Sequence, residues 1–585
     1  MRTFFKIVFG SCLGTILAMV LLLVIVASIG FMGAEKESIS SNSVLKLEFK
    51  NPIPEKTNNV ALEPYSFENP NALGLRRILY LIDQAANDDK IEGILLNTKD
   101  IQMGHTVARD LTLALENFKK SGKWIYSYAD FYTQKAYLLN LAADSIFINP
   151  NGMVDLKGYG YLSPFFKDAF DNLGIKMEVF YAGNYKSATE PFRRNDLSPE
   201  NKVQLREFFG EMADTLIGEV SRYRNISKVE VNNILKYYYG KNAISAMEHQ
   251  LVDGVNYFDE IESKIKQKLG LEADKKIKYV SLEKYDRSQG LEDAGSSKNK
   301  VAIVYAEGTV NYNTADAGEI NDKTYLELFD KLKRKKDLKA IVLRVNSPGG
   351  SSITSDIIWH ELEELKAKGI PVVASFGDYA ASGGYYISCG ADTIVSEPTT
   401  LTGSIGVYSM FPNFSKLARE KLHVNFDTLQ THPYALGPTS VYDVSQNEEN
   451  LFKESVDLIY QTFLSRVAQG RHISVDSVNT IGQGRVWTGN RAKQLGLVDE
   501  IGNLDDAIRI AAEMAKLEDY KIEEFPKIKR NKFLELLSQF ESAEEIKQQF
   551  TPDSKTLLDL KKYQEFQKIF EEKGVQMRLP YLLEL

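Results

Sequence analysis

Apolar and polar positions alternate in blocks along this chain. The runs IEGILLN from Ile91 and KAIVLRV from Lys339 are short and rich in Ile, Leu and Val. Each leads into a stretch with apolar residues at helical spacing, VARDLTLALENFKKSGK from Val107 and SDIIWHELEELKAKG from Ser355. Another apolar run, another helical stretch and a third strand follow, the last reading SIFINP from Ser145 and TIVSEP from Thr393. Strands alternating with helices of this size predict parallel βαβ units, because a parallel neighbour needs a crossover helix. The third strand runs into a glycine-containing turn, DLKGYG or TLTGSIG. A helix and a strand are expected after it in each case.

The blocks occur twice because the chain repeats itself. The segment from Ser121 to Pro150 lines up with that from Lys368 to Pro398. Asp130 then faces Asp378, Ala143-Asp144 faces Ala391-Asp392, and Gln134 faces Ser382. Upstream, KIEGILLNTKD at Lys90 matches DLKAIVLRVNSPGG at Asp337. Downstream, IKMEVF at Ile175 matches LHVNF at Leu422, which sets Lys186 opposite His432. The polar stretch Asp286–Lys300, rich in Gly and Ser, reads as the linker between copies. Beyond about Lys516 the chain is charged, helical in pattern and broken by Pro526, Pro552 and Pro580. That predicts peripheral helices.

One span differs from everything else. From Ile7 to Ala34 there is no charged residue, and Arg2 and Lys6 precede it. This is enough to cross ~30 Å of hydrocarbon. The basic residues place the N-terminus in the cytoplasm and the bulk of the chain outside. A cleaved signal peptide is the alternative, but Ala27-Ser28-Ile29 is a poor cleavage site. The remaining composition is ordinary for a globular chain of 585 residues, enough for more than one domain. A net charge of -8 argues against nucleic acid as a partner. Two cysteines, Cys12 and Cys389, make no disulfide framework. No metal-ligand spacing, dinucleotide fingerprint or P-loop is present, so no cofactor is expected.

Two strand-to-helix junctions in the second copy carry candidate chemistry. In NSPGGSS, from Asn346, glycines let backbone N–H groups approach a ligand, and the helix that follows adds its positive end. That describes an oxyanion hole, or a plain βα turn. In AASGGYY, Ser382 precedes two glycines that are poor helix formers unless something must come close. It reads as a nucleophile or as an N-cap. The first copy has Gln134 there and KDIQMGH in place of the glycine turn. A serine nucleophile needs a base. The six histidines, His105, His249, His360, His423, His432 and His472, sit in unremarkable settings. A buried lysine is the alternative, since desolvation lowers its pKa by several units. Lys186, in FYAGNYKSATEPF, lies among small and aromatic residues, although a surface loop explains it equally well from the residues alone.

VNSPGGS, GDYAASGGYYIS, TGSIGVYS and NYKSATEPF, taken together, resemble the bacterial signal peptide peptidase A family in its long, tandem-domain form. The resemblance runs from residue 1 to about 515. It implies an α/β fold of two tandem Clp/crotonase-like domains of repeated ββα units, behind one transmembrane helix and before a helical C-terminal tail. The expected boundaries are an anchor at 1–34, domains at 44–285 and 301–515, a linker at 286–300 and a tail at 516–585. It implies a serine protease that degrades released signal peptides at the bacterial inner membrane, single-pass, with its body on the extracytoplasmic side. Ser382 would be the nucleophile, Lys186 the base, Gly350 and Gly383 the oxyanion donors, and Ser404 a residue orienting the lysine. Peptides, the membrane and other copies of the chain, as a tetramer, are the implied partners. Within the repeat, the first copy keeps the lysine and the second keeps the serine, which suggests one composite site per pair of domains. A crotonase-like acyl-CoA enzyme and a silent envelope scaffold are the competing readings.

Overall fold

In the computed structural model, residues 38–57, 72–290, 297–314, 318–527 and 576–578 are described. The Ile7–Ala34 span lies outside them. Among the described residues no helix is long and apolar enough to cross a membrane.

Two mainly parallel sheets repeat one order. The first runs Gly254–Val255, Ser145–Ile148, Trp124–Ala129, Ile91–Leu96, Ser43–Leu47, Lys278–Ser281. The second runs through Leu338–Ser347 between Val372–Ala381 and Lys300–Glu307, with Lys521–Phe525 at its edge. Central strands such as Ile91–Leu96 and Leu338–Ser347 are buried on both faces, as helix-covered parallel strands must be. Each sheet has its own core. Leu45, Ile94, Ile125 and Ile146 anchor the first, and Val304, Ile341, Ala374 and Ile394 the second.

Three expectations change. The C-terminal sheet continues past residue 515, because Lys521–Phe525 pairs in parallel with Lys300–Val304. The expected linker is partly regular: the helix Leu282–Gln289 runs into it, and Lys300 already begins a strand. The LHVNF segment forms no strand, and Leu422, Val424 and Phe426 are exposed. A strand needs another strand to pair with, and among the described residues this segment has none, its Leu422 and Val424 amides bonding back to the preceding turn instead.

The strand expected at IKMEVF is real. Lys176–Ala182 pairs antiparallel with Val407–Asn413 of the other copy, from Lys176↔Asn413 to Ala182↔Val407. These two strands belong to a third sheet, ordered Ile320–Asn321, Val310–Asn311, Gly349–Ser351, Gln576–Arg578, Val407–Asn413, Lys176–Ala182. Phe180 packs on Phe411 and Phe452 across this seam.

Buried ions hold the copies together elsewhere. Arg344, fully buried, donates to both carboxylate oxygens of Glu55 at 2.8 and 3.2 Å. It also donates to Ser375 Oγ and the Phe376 carbonyl. The helix His105–Lys119 docks by Arg109 on Glu397 and by the Thr106 amide and hydroxyl on Asp378. A buried pair is costly to break one-sidedly, because the survivor is left charged and unsolvated. Glu55→Ala should therefore lower stability by roughly 3–5 kcal/mol in denaturant titrations. The double variant Glu55→Leu with Arg344→Met should recover much of that loss. Equal loss in single and double variants would refute this reading.

Candidate active site

Ser382 stands at the end of Val372–Ala381, just before the short helix Gly383–Ser388. Its φ of 55° and ψ of -115° are unusual for a residue with a side chain. Such a turn costs on the order of 1–3 kcal/mol and is kept where it aims a group. The backbone is pinned by its amide on the Gly403 carbonyl at 2.8 Å and by the Tyr386 amide on its own carbonyl. The side chain makes no N-cap hydrogen bond, so the hydroxyl is not spent on the helix.

Lys186 enters from the other copy. It lies four residues after Ala182, the last residue of the cross-copy strand. Its Nζ sits 2.8 Å from Ser382 Oγ, 3.0 Å from Ser404 Oγ and 3.2 Å from the Ser404 carbonyl oxygen. Lys186 is 1% exposed, and Ser382 and Ser404 are fully buried. Among the described residues no carboxylate forms an ion pair with it. Burial alone pushes the lysine pKa well below its ordinary value. A neutral amine has two N–H groups and one lone pair. The two Ser404 oxygens can take the two N–H groups, which leaves the lone pair for the Ser382 hydroxyl to donate to.

The loop carrying the lysine is clamped by both copies. The Tyr185 amide donates to the Gln483 carbonyl at 2.8 Å. Gln204 Nε2 donates to the Tyr185 carbonyl and to Ser187 Oγ, while its Oε1 accepts from the Val486 amide. Gly484 lies against the lysine backbone, so a Cβ there would fall 2.7 Å from Lys186 N and Cβ. Ser404, at φ 50°, is held by its amide on the Arg485 carbonyl.

The glycine turn lies beside the serine. Gly350 has φ +150°, and a Cβ on it would fall 2.0 Å from the Val310 carbonyl oxygen. A Cβ on Gly383 would fall 3.0 Å from Gly350 N and 2.8 Å from Ser355 Oγ. The two glycines thus crowd together where side chains cannot fit. Ser347 Oγ accepts from the Gly349 amide at 3.2 Å and fixes the turn.

All five expected site residues meet here. His432 does not: it is exposed, and its Nδ1 lies 3.0 Å from neighbouring Thr431 Oγ1. In the first copy Gln134 Oε1 accepts from the Gly158 and Lys157 amides, so that junction is closed by a side-chain amide. Sequence reasoning missed Gln204 and Gly484. Only IGQGR, with its paired glycines, carried a signal. Gln204 sits in a long helix among ordinary polar residues.

Comparison with known proteins follows the repeat. The model for peptidase family S49 matches residues 117–272 and 364–518. Protease 4 of Haemophilus influenzae is 32% identical over 535 residues, covering 87% of this chain and 86% of that protein. The chloroplastic serine protease SPPA of Arabidopsis thaliana is 33% identical over 443 residues, covering 74% and 64%. Among solved structures, ClpP1 from Listeria monocytogenes covers 35% of this chain and 92% of its own, at 17% identity and a TM-score of 0.22. That likeness is too low to assign a Clp-like fold.

The buried lysine makes a stability prediction. Its folded pKa is depressed, so below the unfolded value the unfolded chain binds more protons, and stability rises with pH. Lys186→Met removes this cost. The variant should melt higher than the parent at neutral pH, with a gap that widens as pH falls towards the folded pKa. A gap that stays flat or narrows in differential scanning calorimetry would count against a neutral buried amine.

Proposed function

The chain belongs to peptidase family S49 and is a serine protease, and we propose that it cuts peptides with a Ser382–Lys186 dyad split between its two repeats. The 2.8 Å contact between a buried, carboxylate-free lysine and a serine at a strained turn carries this reading. Neutral Lys186 takes the Ser382 proton as Oγ attacks the scissile carbonyl carbon. The developing oxyanion is held by the amides of Gly350 and Gly383. Lys186 then gives its proton to the leaving amine, and an acyl-serine remains. Water, deprotonated by the same lysine, releases the acid. Ser404 positions the amine and keeps its lone pair aimed at Ser382.

Released signal peptides are the substrates we propose. The support is the likeness to the long-form family and the apolar Ile7–Ala34 span. That span anchors the chain in the inner membrane in this reading, with the catalytic body outside the cytoplasm and the protein assembled as a homo-oligomer. The acyl-CoA and scaffold readings leave the Ser382–Lys186 contact unexplained.

Ser382→Ala should lower kcat on the order of 10⁶-fold with an unchanged melting profile, apart from small shifts, since one oxygen is removed. Lys186→Met should be equally inactive, and a fluorophosphonate should modify Ser382 and no other residue. Substantial peptidase activity in either variant would overturn the dyad. The kcat/KM profile should rise with pH as the lysine deprotonates, with a midpoint well below that of a free lysine. For topology, protease added to intact spheroplasts should reach the catalytic body. A reporter fused after residue 40 that works only in the cytoplasm would reverse the orientation.

A further inference from the structure

Arg485 touches both supports of the lysine. Its carbonyl oxygen accepts from the Ser404 amide at 2.7 Å, and Ser404 in turn takes Lys186 Nζ. Its neighbours are engaged too: Gly484 packs on the lysine backbone, and the Val486 amide donates to Gln204. The side chain reaches back to the lysine loop. Its guanidinium carbon lies 4.7 Å from the centre of the Tyr185 ring and 4.2 Å from that of Trp487. Tyr185 immediately precedes Lys186. One planar cation thus ties the loop of the first copy to the strand Val486–Thr488 of the second.

A helix of the first copy braces the same strand. On Pro199–Arg224, Gln204, Glu207 and Glu211 are spaced three and four residues apart and so share a face. Gln204 accepts from the Val486 amide, Glu207 pairs with the Arg485 guanidinium, and Glu211 accepts from the Thr488 hydroxyl. Arg485 Nε is buried with no hydrogen-bond partner among the described residues. Stacking, rather than a full set of hydrogen bonds, therefore accounts for where the guanidinium lies. A flat, weakly hydrated cation suits two ring faces, and the compact ammonium of a lysine does not. The stack also faces outward. Tyr185 is half-buried and the Arg485 side chain is 18% exposed, whereas Lys186 beside them is 1% exposed.

We propose that Arg485 is a positioning residue for the dyad: its guanidinium, held between Tyr185 and Trp487, locks the lysine loop onto the Ser404 turn and keeps water from Lys186. The proposal rests on the Ser382–Lys186 reading and adds what maintains the base in it. Burial is what depresses the lysine, so loosening the stack admits water and returns the amine towards its ordinary pKa.

The test uses the full-length protein and reads its pH dependence. Arg485→Ala should move the kcat/KM midpoint about one unit to higher pH. At any pH below both midpoints that is about a tenfold loss, because a shift of one unit leaves a tenth as much neutral amine. At high pH the activity should return to near the parental plateau, with KM little changed, which damage to the fold alone would not allow. Arg485→Lys keeps the charge without the planar stack and should fall between Arg485→Ala and the parent. Tyr185→Leu should shift the midpoint as Arg485→Ala does, and Tyr185→Phe, which keeps the ring, should restore it. A second measurement needs no catalysis. The melting gap between Lys186→Met and its parent widens on acidification until the buried amine is protonated in the folded state. In an Arg485→Ala background that widening should stop about one pH unit earlier. An active Lys186→Met would remove the dyad reading, and the melting measurement would still decide whether Arg485 shields the lysine. A midpoint unmoved in both Arg485→Ala and Tyr185→Leu, whether activity is lost evenly at every pH or not lost at all, would overturn the proposal. An unmoved melting gap would do the same.

Discussion

The antiparallel pairing of Lys176–Ala182 with Val407–Asn413 is the contact on which the site depends. One strand comes from each repeat. The chain leaves the first strand at Ala182 and reaches Lys186 four residues later. The other strand begins at Val407, three residues after Ser404. Because Ala182 faces Val407, this one register brings both residues to the same end of the seam. A slip by a single residue would turn every side chain to the opposite face. Lys186 would then miss Ser382, although both would remain in correctly folded repeats.

That geometry carries an energetic cost that the fold absorbs elsewhere. Lys186 is buried with no counter-charge among the described residues, and Ser382 and Ser404 both hold positive φ. Each is unfavourable for folding, and a depressed amine and an aimed hydroxyl are what the proposed Ser–Lys pair needs. The compensating contacts lie around the site. Gln204 ties the lysine loop to Val486, and the Arg344–Glu55 pair fastens the two repeats. Backbone amides and carbonyls, including those of Gly403, Gln483 and Arg485, fix the serine, the lysine loop and Ser404. Rigid backbone partners suit the proposed role, because a base must be held close to its productive geometry.

The repeat also explains why there is one such site between the copies. At the first junction Gln134 closes on the Lys157 and Gly158 amides, and KDIQMGH replaces the glycine pair. The segment opposite Lys186 carries exposed His432 and forms no strand. Each copy supplies a scaffold, and only their junction assembles a serine, a lysine and two closely apposed glycines.

The sequence by itself determined the repeated α/β architecture, because hydrophobic periodicity and the alignment of the copies are local properties of the chain. It also singled out Ser382, Gly350 and Gly383, since a serine and glycines at strand-to-helix turns are visible at fixed spacing. Lys186 was legible only through the family likeness and the complementary losses between copies. A lysine's neighbours in sequence do not reveal whether it is buried. Tertiary structure decided that burial, and it brought residue 186 within hydrogen-bond reach of residue 382. It also decided what lay beyond any local pattern: that Gln204 braces the loop, that Leu422–Phe426 lacks the neighbour a strand requires, and that Gln576–Arg578 lies against the glycine turn. Long-range pairing depends on which edges are left free once the repeats have folded, and no window of sequence contains that information.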